Sequence, residues 1–300
     1  MKHFLFALMV ALLSAATLSA QQIAVVSGSG STRVYDTLDE AIEGASSGST
    51  IYLPGGGFRV SEDTKITKRV AIIGIGHKPN SENEDGNTVI SGNIQFGVGS
   101  DGSAIMGVYM GNDIHIGVEG VVKNITVKYC NVNSIQVTTP DCPGILVNQN
   151  YLRSNSVFNS SNVTITNNIM SPVRGIKGGI VNHNIVFGYA YFDGDYGILC
   201  EESTSMYNIC THNWGNIRGC EDVGSVKGVS PFRNNQGITT RSDFHLPDDY
   251  EGSTLIGVYG GGTGFNDGGI PPMPHIISKS VAEQTDARGK LRVQVTVKAN

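Results

Sequence analysis

The chain has 300 residues, of which 39 are glycine and only 10 proline, without a Gly-X-Y period, so it is not collagen-like. Charged residues make up 16% of it, too few for a coiled coil or a charge-driven disordered chain. A net charge of −5, with 21 scattered lysines and arginines, offers no basic field and argues against nucleic acid as a partner.

Lys2 and His3 precede the apolar run Phe4 to Leu13, and small residues follow from Ser14 to Ala20. That order reads as a secretory signal peptide over residues 1–20, cleaved between Ala20 and Gln21. The alternative is a transmembrane anchor, but the run is shorter than the roughly 20 residues a span requires. No later segment is apolar enough to span, so no membrane span is expected.

From Gln21 to about Phe58 the pattern is that of a cap. Thr37-Leu38-Asp39-Glu40 is a capping box, in which the Thr hydroxyl and Glu carboxylate can satisfy orphan backbone donors at a helix start. Leu38, Ala41, Ile42 and Ala45 then share one helical face, and Gly48 follows the end. Thr50 to Phe58 reads as a short strand and a tight turn. A short amphipathic helix handing straight to a strand can cover the open end of a sheet stack.

Asparagine is absent from the first 79 residues, then crowds the middle: 22 of the 24 lie between Asn80 and Asn235. There, short β-branched runs such as Val70-Ala71-Ile72-Ile73, Ile125-Thr126-Val127 and Val163-Thr164-Ile165 alternate with Gly/Asn/Ser turns. Such runs are shorter than the ~5–6 residues of ordinary strands. Aligning them exposes a repeat marked by Asn131, Asn150, Asn168, Asn184 and Asn208, at intervals of 19, 18, 16 and 24. A variable period near twenty is a solenoid signature. Each unit would be a coil of three short strands, stacked at ~4.8 Å in parallel register. Asparagine tolerates left-handed backbone angles and can turn the corner between strands. Its amide can also bond the same amide one coil away.

Five cysteines occur: Cys130, Cys142, Cys200, Cys210 and Cys220. An odd number in an exported chain leaves at least one thiol unpaired. With neither Cys-x-x-Cys nor His-x-x-x-His spacing, a zinc site has no support. Cys200 and Cys220 are one repeat apart, and stacked thiols are preferred over a disulfide between them.

These features resemble bacterial right-handed parallel β-helix proteins of the pectate-lyase-like superfamily. Three stretches carry the likeness. The opening, Thr37 to Ile42 and then Gly48 to Gly55, is similar to their N-terminal helix cap and first strand. Ile72-Ile73-Gly74-Ile75-Gly76 and Thr88-Val89-Ile90-Ser91-Gly92 are similar to their early coils. Asp243-Phe244-His245-Leu246, Gly257-Val258-Tyr259-Gly260-Gly261 and Pro271-Pro272-Met273-Pro274-His275-Ile276 resemble the last coil of many exported members. The likeness covers most of residues 33–275 and is specific for fold but not for function, because this architecture hosts lyases, hydrolases, adhesins and inert scaffolds. In the lyase members acids hold Ca²⁺ and an Arg or Lys abstracts a proton. The resemblance therefore implies Ca²⁺ as the one cofactor to consider, and Arg174, Lys177 and Arg218 as local bases. The polygalacturonase motifs Asn-Thr-Asp, Asp-Asp and Gly-His-Gly are absent. Arg174-Gly175-Ile176-Lys177 is a loose echo of the Arg-x-Lys signature, and no role is transferred to it.

Leu291 to Lys298 alternates strictly between apolar and polar residues, as a half-buried strand does. It is expected to lie along the helix or close its C-terminal end, with a cleaved secretion tag as the alternative.

Glycine motifs carry no chemistry here. Gly74-Ile75-Gly76 lacks a third glycine and a following helix, Gly28-Ser29-Gly30-Ser31 lacks a lysine, and no Gly-x-Ser-x-Gly elbow exists. The informative stretch runs from Phe187 to Gly197 and holds five aromatics, followed by Glu201-Glu202. Tyr189, Tyr191, Asp193, Asp195 and Tyr196, with Glu201, Glu202 and the sole tryptophan, Trp214, are the candidate substrate-binding residues. Aromatic faces stack on the apolar side of a pyranose while carboxylates bind its hydroxyls. The plainer reading is a solvated turn with Tyr packed on the barrel edge. Paired carboxylates can also hydrolyse a glycosidic bond, which makes Asp193 and Asp195 weak catalytic candidates. Glu221 and Asp222 lie close in sequence.

The expected fold is all-β: a right-handed parallel β-helix (solenoid) with a short N-terminal capping helix and a C-terminal capping strand. Its boundaries are a signal peptide at 1–20, a cap and first strand at 21–58, the β-helix at 59–275 and a C-terminal strand or cap at 276–300. The expected function is an exported non-catalytic glycan-binding or cell-surface scaffold protein, secreted, periplasmic or on the surface of a bacterium. The alternative is a polysaccharide lyase or glycoside hydrolase acting on an acidic or plant-type polysaccharide. A glycan is the expected partner, with no metal-ligand set and no cofactor beyond the Ca²⁺ that a lyase would imply.

Overall fold

The computed structural model describes residues 22–77, 86–187, 196–211, 216–228, 243–262, 264–272, 275–285 and 288–298. The leader expected over residues 1–20 lies outside them. Among the described residues no helix is long and apolar enough to cross a membrane.

Ile23–Val26 pairs antiparallel with Thr32–Tyr35 on one side and with Ser49–Tyr52 on the other. Helix α1 (Leu38–Gly44) begins where the Thr37 hydroxyl accepts from the Glu40 N–H at 3.2 Å. Leu38, Ala41, Ile42 and Ala45 are all buried, as their shared face requires. Together these elements cover the open N-terminal end of the stack, which would otherwise present unpaired backbone.

From Ser49 onward the chain winds through three columns of short parallel strands. The first column runs Ser49–Tyr52, Val70–Ile73, Ala104–Met106, Thr126–Lys128, Leu146–Asn148, Thr164–Thr166 and Ile180–Asn182. The second has nine strands, from Gly56–Arg59 to Val226–Lys227. The third runs Ile94–Gly97, Ile114–Val118, Ile135–Val137, Ser156–Ser161 and Val173–Lys177. The long strand Tyr196–Met206 serves the third column with its first half and the first column with its second. This is the right-handed parallel β-helix, the hand that parallel crossovers take. Its core is a stack of like on like: Ile51, Ile72, Ile105, Val127, Val147, Ile165 and Val181 are in register and fully buried. Each such side chain contributes about 1.5–3 kcal/mol of burial.

The amide ladder exists, but its register differs from the sequence expectation by one residue at its lower end. Asn150 Nδ2 donates to Asn168 Oδ1 at 3.0 Å, Asn168 to Asn184 at 3.0 Å, and Asn184 to Asn208 at 2.9 Å. Below Asn150 the equivalent position is Cys130, whose N–H donates to Asn150 Oδ1 at 2.9 Å. Asn131 instead faces the other way, in register with Tyr151. Strand pairing decides this: Val127 sits beside Val147, so the third residue onward from each is Cys130 and Asn150. The corner is also turned elsewhere than expected. The left-handed residue precedes each ladder position, at Tyr129, Gln149, Asn167, His183 and Tyr207, with φ of 54–57°. Asparagines of the ladder hold the turn; their neighbours make it.

From Tyr151 to Cys210 the second column is apolar on both faces. Leu152, Met170, Val186 and Cys210 point inward, while Tyr151, Ile169, Ile185 and Ile209 point outward and are still buried. Their cover is the segment 243–272, which forms no strand and does not build a last coil. It runs back down the outside of the helix as a strap, placing Phe244, Leu246, Val258 and Phe265 on that outer row. Its anchors descend coil by coil. The Gly257 N–H donates to the Tyr207 carbonyl, the Asn167 amide to Val258 O, and the Asn266 N–H to Gln149 Oε1, at 2.9, 2.9 and 3.0 Å. Finally the His77 N–H donates to Gly268 O at 3.0 Å.

Leu291–Lys298 is a strand, as its alternation predicts. It pairs antiparallel with His275–Thr285 in a separate two-stranded sheet. This hairpin begins shortly after Pro271, which packs on Gly107 in an early coil. The strap has carried the chain away from the last coil before the hairpin starts.

Candidate functional site

The outward side chains of the third column form one row down the helix: Gln95, His115, Gln136, Val157, Arg174, Leu199 and Arg218. Strict alternation would place Arg174 and Lys177 on opposite faces of their strand, since they are three residues apart. A bulge overrides it. The register shifts between Arg174 and Ile176, and Gly175 takes φ 76°. Ile176 then points into the core, while both cations face out. Only glycine serves at this place, because a Cβ there would collide with the Asn159 side chain of the coil below.

Asn159 has φ 45° and Glu202 φ 49°, so bulges recur on the coils below and above. Together they open a groove of ≈ 490 Å³ lined by Asp141, Asn159, Ser160, Arg174, Lys177 and Glu201 among others. Lys177 stands beside Glu201 in register, with Nζ 3.5 Å from Oε1. The pair is about half exposed on both sides, so its contribution is orientation more than stability. Asp141 reaches the groove from the turn after Ile135–Val137, a residue that sequence reasoning missed. Its only sequence signal is a position one repeat before Asn159.

Of the sequence candidates, Glu201 lies in this groove and Glu202 is exposed on the bulge beside it. Tyr196 is buried, at 3% exposure, at the start of the strand that carries Glu201. Tyr189, Tyr191, Asp193, Asp195 and Trp214 lie outside the described residues. Asp222 is engaged elsewhere, in an ion pair with Lys227 at 2.7 Å. Burial alone would raise its carboxyl, but bonds from Lys227, Ser225 and Ser205 outweigh this and hold it below the ordinary range.

Cys200 lines the groove and is joined to Cys220 one coil above, with Cα atoms 5.7 Å apart. The sequence favoured stacked thiols; the bulge after Leu199 brings the two side chains together instead. Cys130, Cys142 and Cys210 remain thiols, and burial pushes those of Cys130 and Cys210 up to about 12, leaving them unreactive.

The Ca²⁺ implied by the lyase resemblance finds no acidic ligand set among the described residues, and Asp193 and Asp195 lie outside them. The acids of the groove are Asp141 and Glu201, and Glu201 is engaged by Lys177. No cluster of three or more His, Cys, Asp or Glu that could hold a metal gathers among the described residues.

Residues 25–237 match the family model described as rhamnogalacturonase A/epimerase, pectate lyase-like. The match spans the solenoid and stops before the strap and the hairpin. No curated protein and no solved structure matches the chain.

Proposed function

This chain belongs to the rhamnogalacturonase A/epimerase, pectate lyase-like family, and we propose that it binds an acidic polysaccharide along the third column without cleaving it. One observation carries the reading: the Gly175 bulge turns Arg174 and Lys177 to the same open groove. Arginine's planar fork suits a uronate carboxylate, while Asn159 and Ser160 suit hydroxyls. Arg218 continues the cationic row one coil beyond Leu199. Hydrolysis would need two carboxylates placed about one bond; among the described residues the groove offers Asp141 and Glu201, the latter paired with Lys177. The aromatic and acidic residues Tyr189, Tyr191, Asp193, Asp195 and Trp214 stay part of the proposal. Their segments lead in sequence directly into the strands Tyr196–Met206 and Asn216–Val223, which build the row. Such a protein would be exported, working outside the cell or at its surface.

A second reading, a lyase, draws on the presence of two cations and an acid in one groove. Calorimetric titration with a galacturonate oligomer tests both. Arg174→Gln should weaken binding about tenfold or more, as loss of a charged hydrogen bond does. Undiminished binding in that variant overturns the groove reading. Unsaturated ends accumulating in the ultraviolet, and lost in Lys177→Ala, would replace binding by lyase catalysis.

A further inference from the structure

On another flank of the solenoid, the left-handed corner residues stack as their own outer row. His183 lies on Tyr207, with ring centroids 5.5 Å apart and planes 22° off parallel. The next position up this row is Gly224, because Met206 pairs with Val223. Gly224 also has a left-handed backbone, φ 66°, but no side chain to continue the stack. The Tyr207 ring leans onto Gly224, where a Cβ would come within 2.7 Å of it, and beside this contact lies a cleft of ≈ 510 Å³. The strap walls it with Tyr250, Leu255 and Ile256, Val226 lies at its base, and Glu251 supplies its one charge.

We propose that this cleft, beside the contact of Tyr207 with Gly224, is a second saccharide site, which takes a single neutral pyranose. The Tyr250 ring and the aliphatic walls suit the apolar face of a sugar ring. The Glu251 carboxylate accepts from ring hydroxyls and repels uronates and other anions. The groove with Arg174 and Lys177 has the opposite preference, so the two sites select different sugars of one heteropolymer. The cleft stands on its own geometry and does not depend on the groove reading.

Saturation-transfer NMR with methyl β-galactopyranoside, set against galacturonate, tests the proposal on the full chain. The neutral glycoside should bind in preference to galacturonate. Tyr250→Ala should weaken it about fivefold or more. Because Tyr250 also packs on the strap core, Leu255→Trp is the decisive variant. Leu255 is 49% exposed, and an indole there fills the cleft without disturbing the fold. Binding should be lost in Leu255→Trp, its preference should invert in Glu251→Lys, and both should be unchanged in Arg174→Gln. Failure of the neutral glycoside to bind, or equal binding to Leu255→Trp, overturns the cleft site and leaves the groove untouched. Sensitivity to Arg174→Gln would move the signal to the groove and likewise overturn it.

Discussion

Asn168 shows how much one side chain can hold in a stacked fold. Its Oδ1 accepts from both the N–H and the amide of Asn150, at 2.8 and 3.0 Å, while its own amide donates to Asn184. All of this occurs at 0% exposure. Replacing Asn168 by Leu leaves two donors of Asn150 buried without an acceptor, at about 1–3 kcal/mol for each orphaned group. Asn131 is the matched control. It is equally an asparagine of the repeat and is also buried, but its Oδ1 has no partner and it stands outside the ladder. Asn131→Leu should be neutral or stabilising, whereas Asn168→Leu should lower the unfolding free energy by roughly 2–6 kcal/mol. Equal effects in chemical denaturation would mean that the two positions are interchangeable and the register is wrong. The repeat itself was legible in the sequence. The one-residue offset was not, because Val127 can be laid on Leu146 or on Val147, both of them apolar. Hydrogen-bond register chooses between them, and register is a property of paired strands.

Bulges act at the scale of the element. Period-two reading of Val173–Lys177 separates Arg174 from Lys177, at the cost of turning Ile176 outward and Lys177 inward. Yet Gly175 is the one residue in that strand able to hold a positive φ against Asn159 without strain. Gly175→Ala should cost about 1–3 kcal/mol through backbone strain and collision with the coil below. It should also pull Arg174 and Lys177 out of their common face. The expected signature is double: a lowered melting temperature, and loss of galacturonate affinity beyond what the stability loss explains. A Gly175→Ala protein that melts lower but binds as before would show that the bulge is only a packing device. The same scale explains the second column, whose doublets Tyr151-Leu152, Ile169-Met170 and Ile185-Val186 carry no polar member. Apolar residues on both sides of a strand announce cover on both faces. That signal was present in the sequence and could have pointed to the strap.

At the scale of the molecule, the strap is what makes an exposed β-helix flank into a second core. Tyr151, Ile169, Ile185 and Ile209 are buried only because Phe244, Leu246, Val258 and Phe265 lie on them. Removing residues 243–300 uncovers that row, at about 1.5–3 kcal/mol per large side chain as an upper estimate, and leaves a sticky apolar face. Such a truncation should aggregate and unfold at lower temperature. Removing only residues 275–300 should do neither, since the hairpin pairs with itself in a separate sheet. Light scattering and thermal unfolding of the two truncations check this. If they behave alike, either the strap is dispensable or the hairpin is part of its anchor.

What the sequence determined alone was the periodic part: three short strands per turn, the helical cap, the amide ladder and the buried β-branched stack. Each arises from a repeat of like residues at nearly constant spacing, and stacking translates such a repeat directly into contact. The tertiary structure decided everything that joins residues far apart or breaks the period. It set the offset that seats Cys130 in the ladder, the disulfide between Cys200 and Cys220, the bulge that turns Arg174 and Lys177 together, and the return of 243–272 along the outside. The physical reason is common to all four. A stacked coil reads its own composition locally, but which face a side chain shows after a bulge, and what covers that face, depends on neighbours that meet only when the chain is wound.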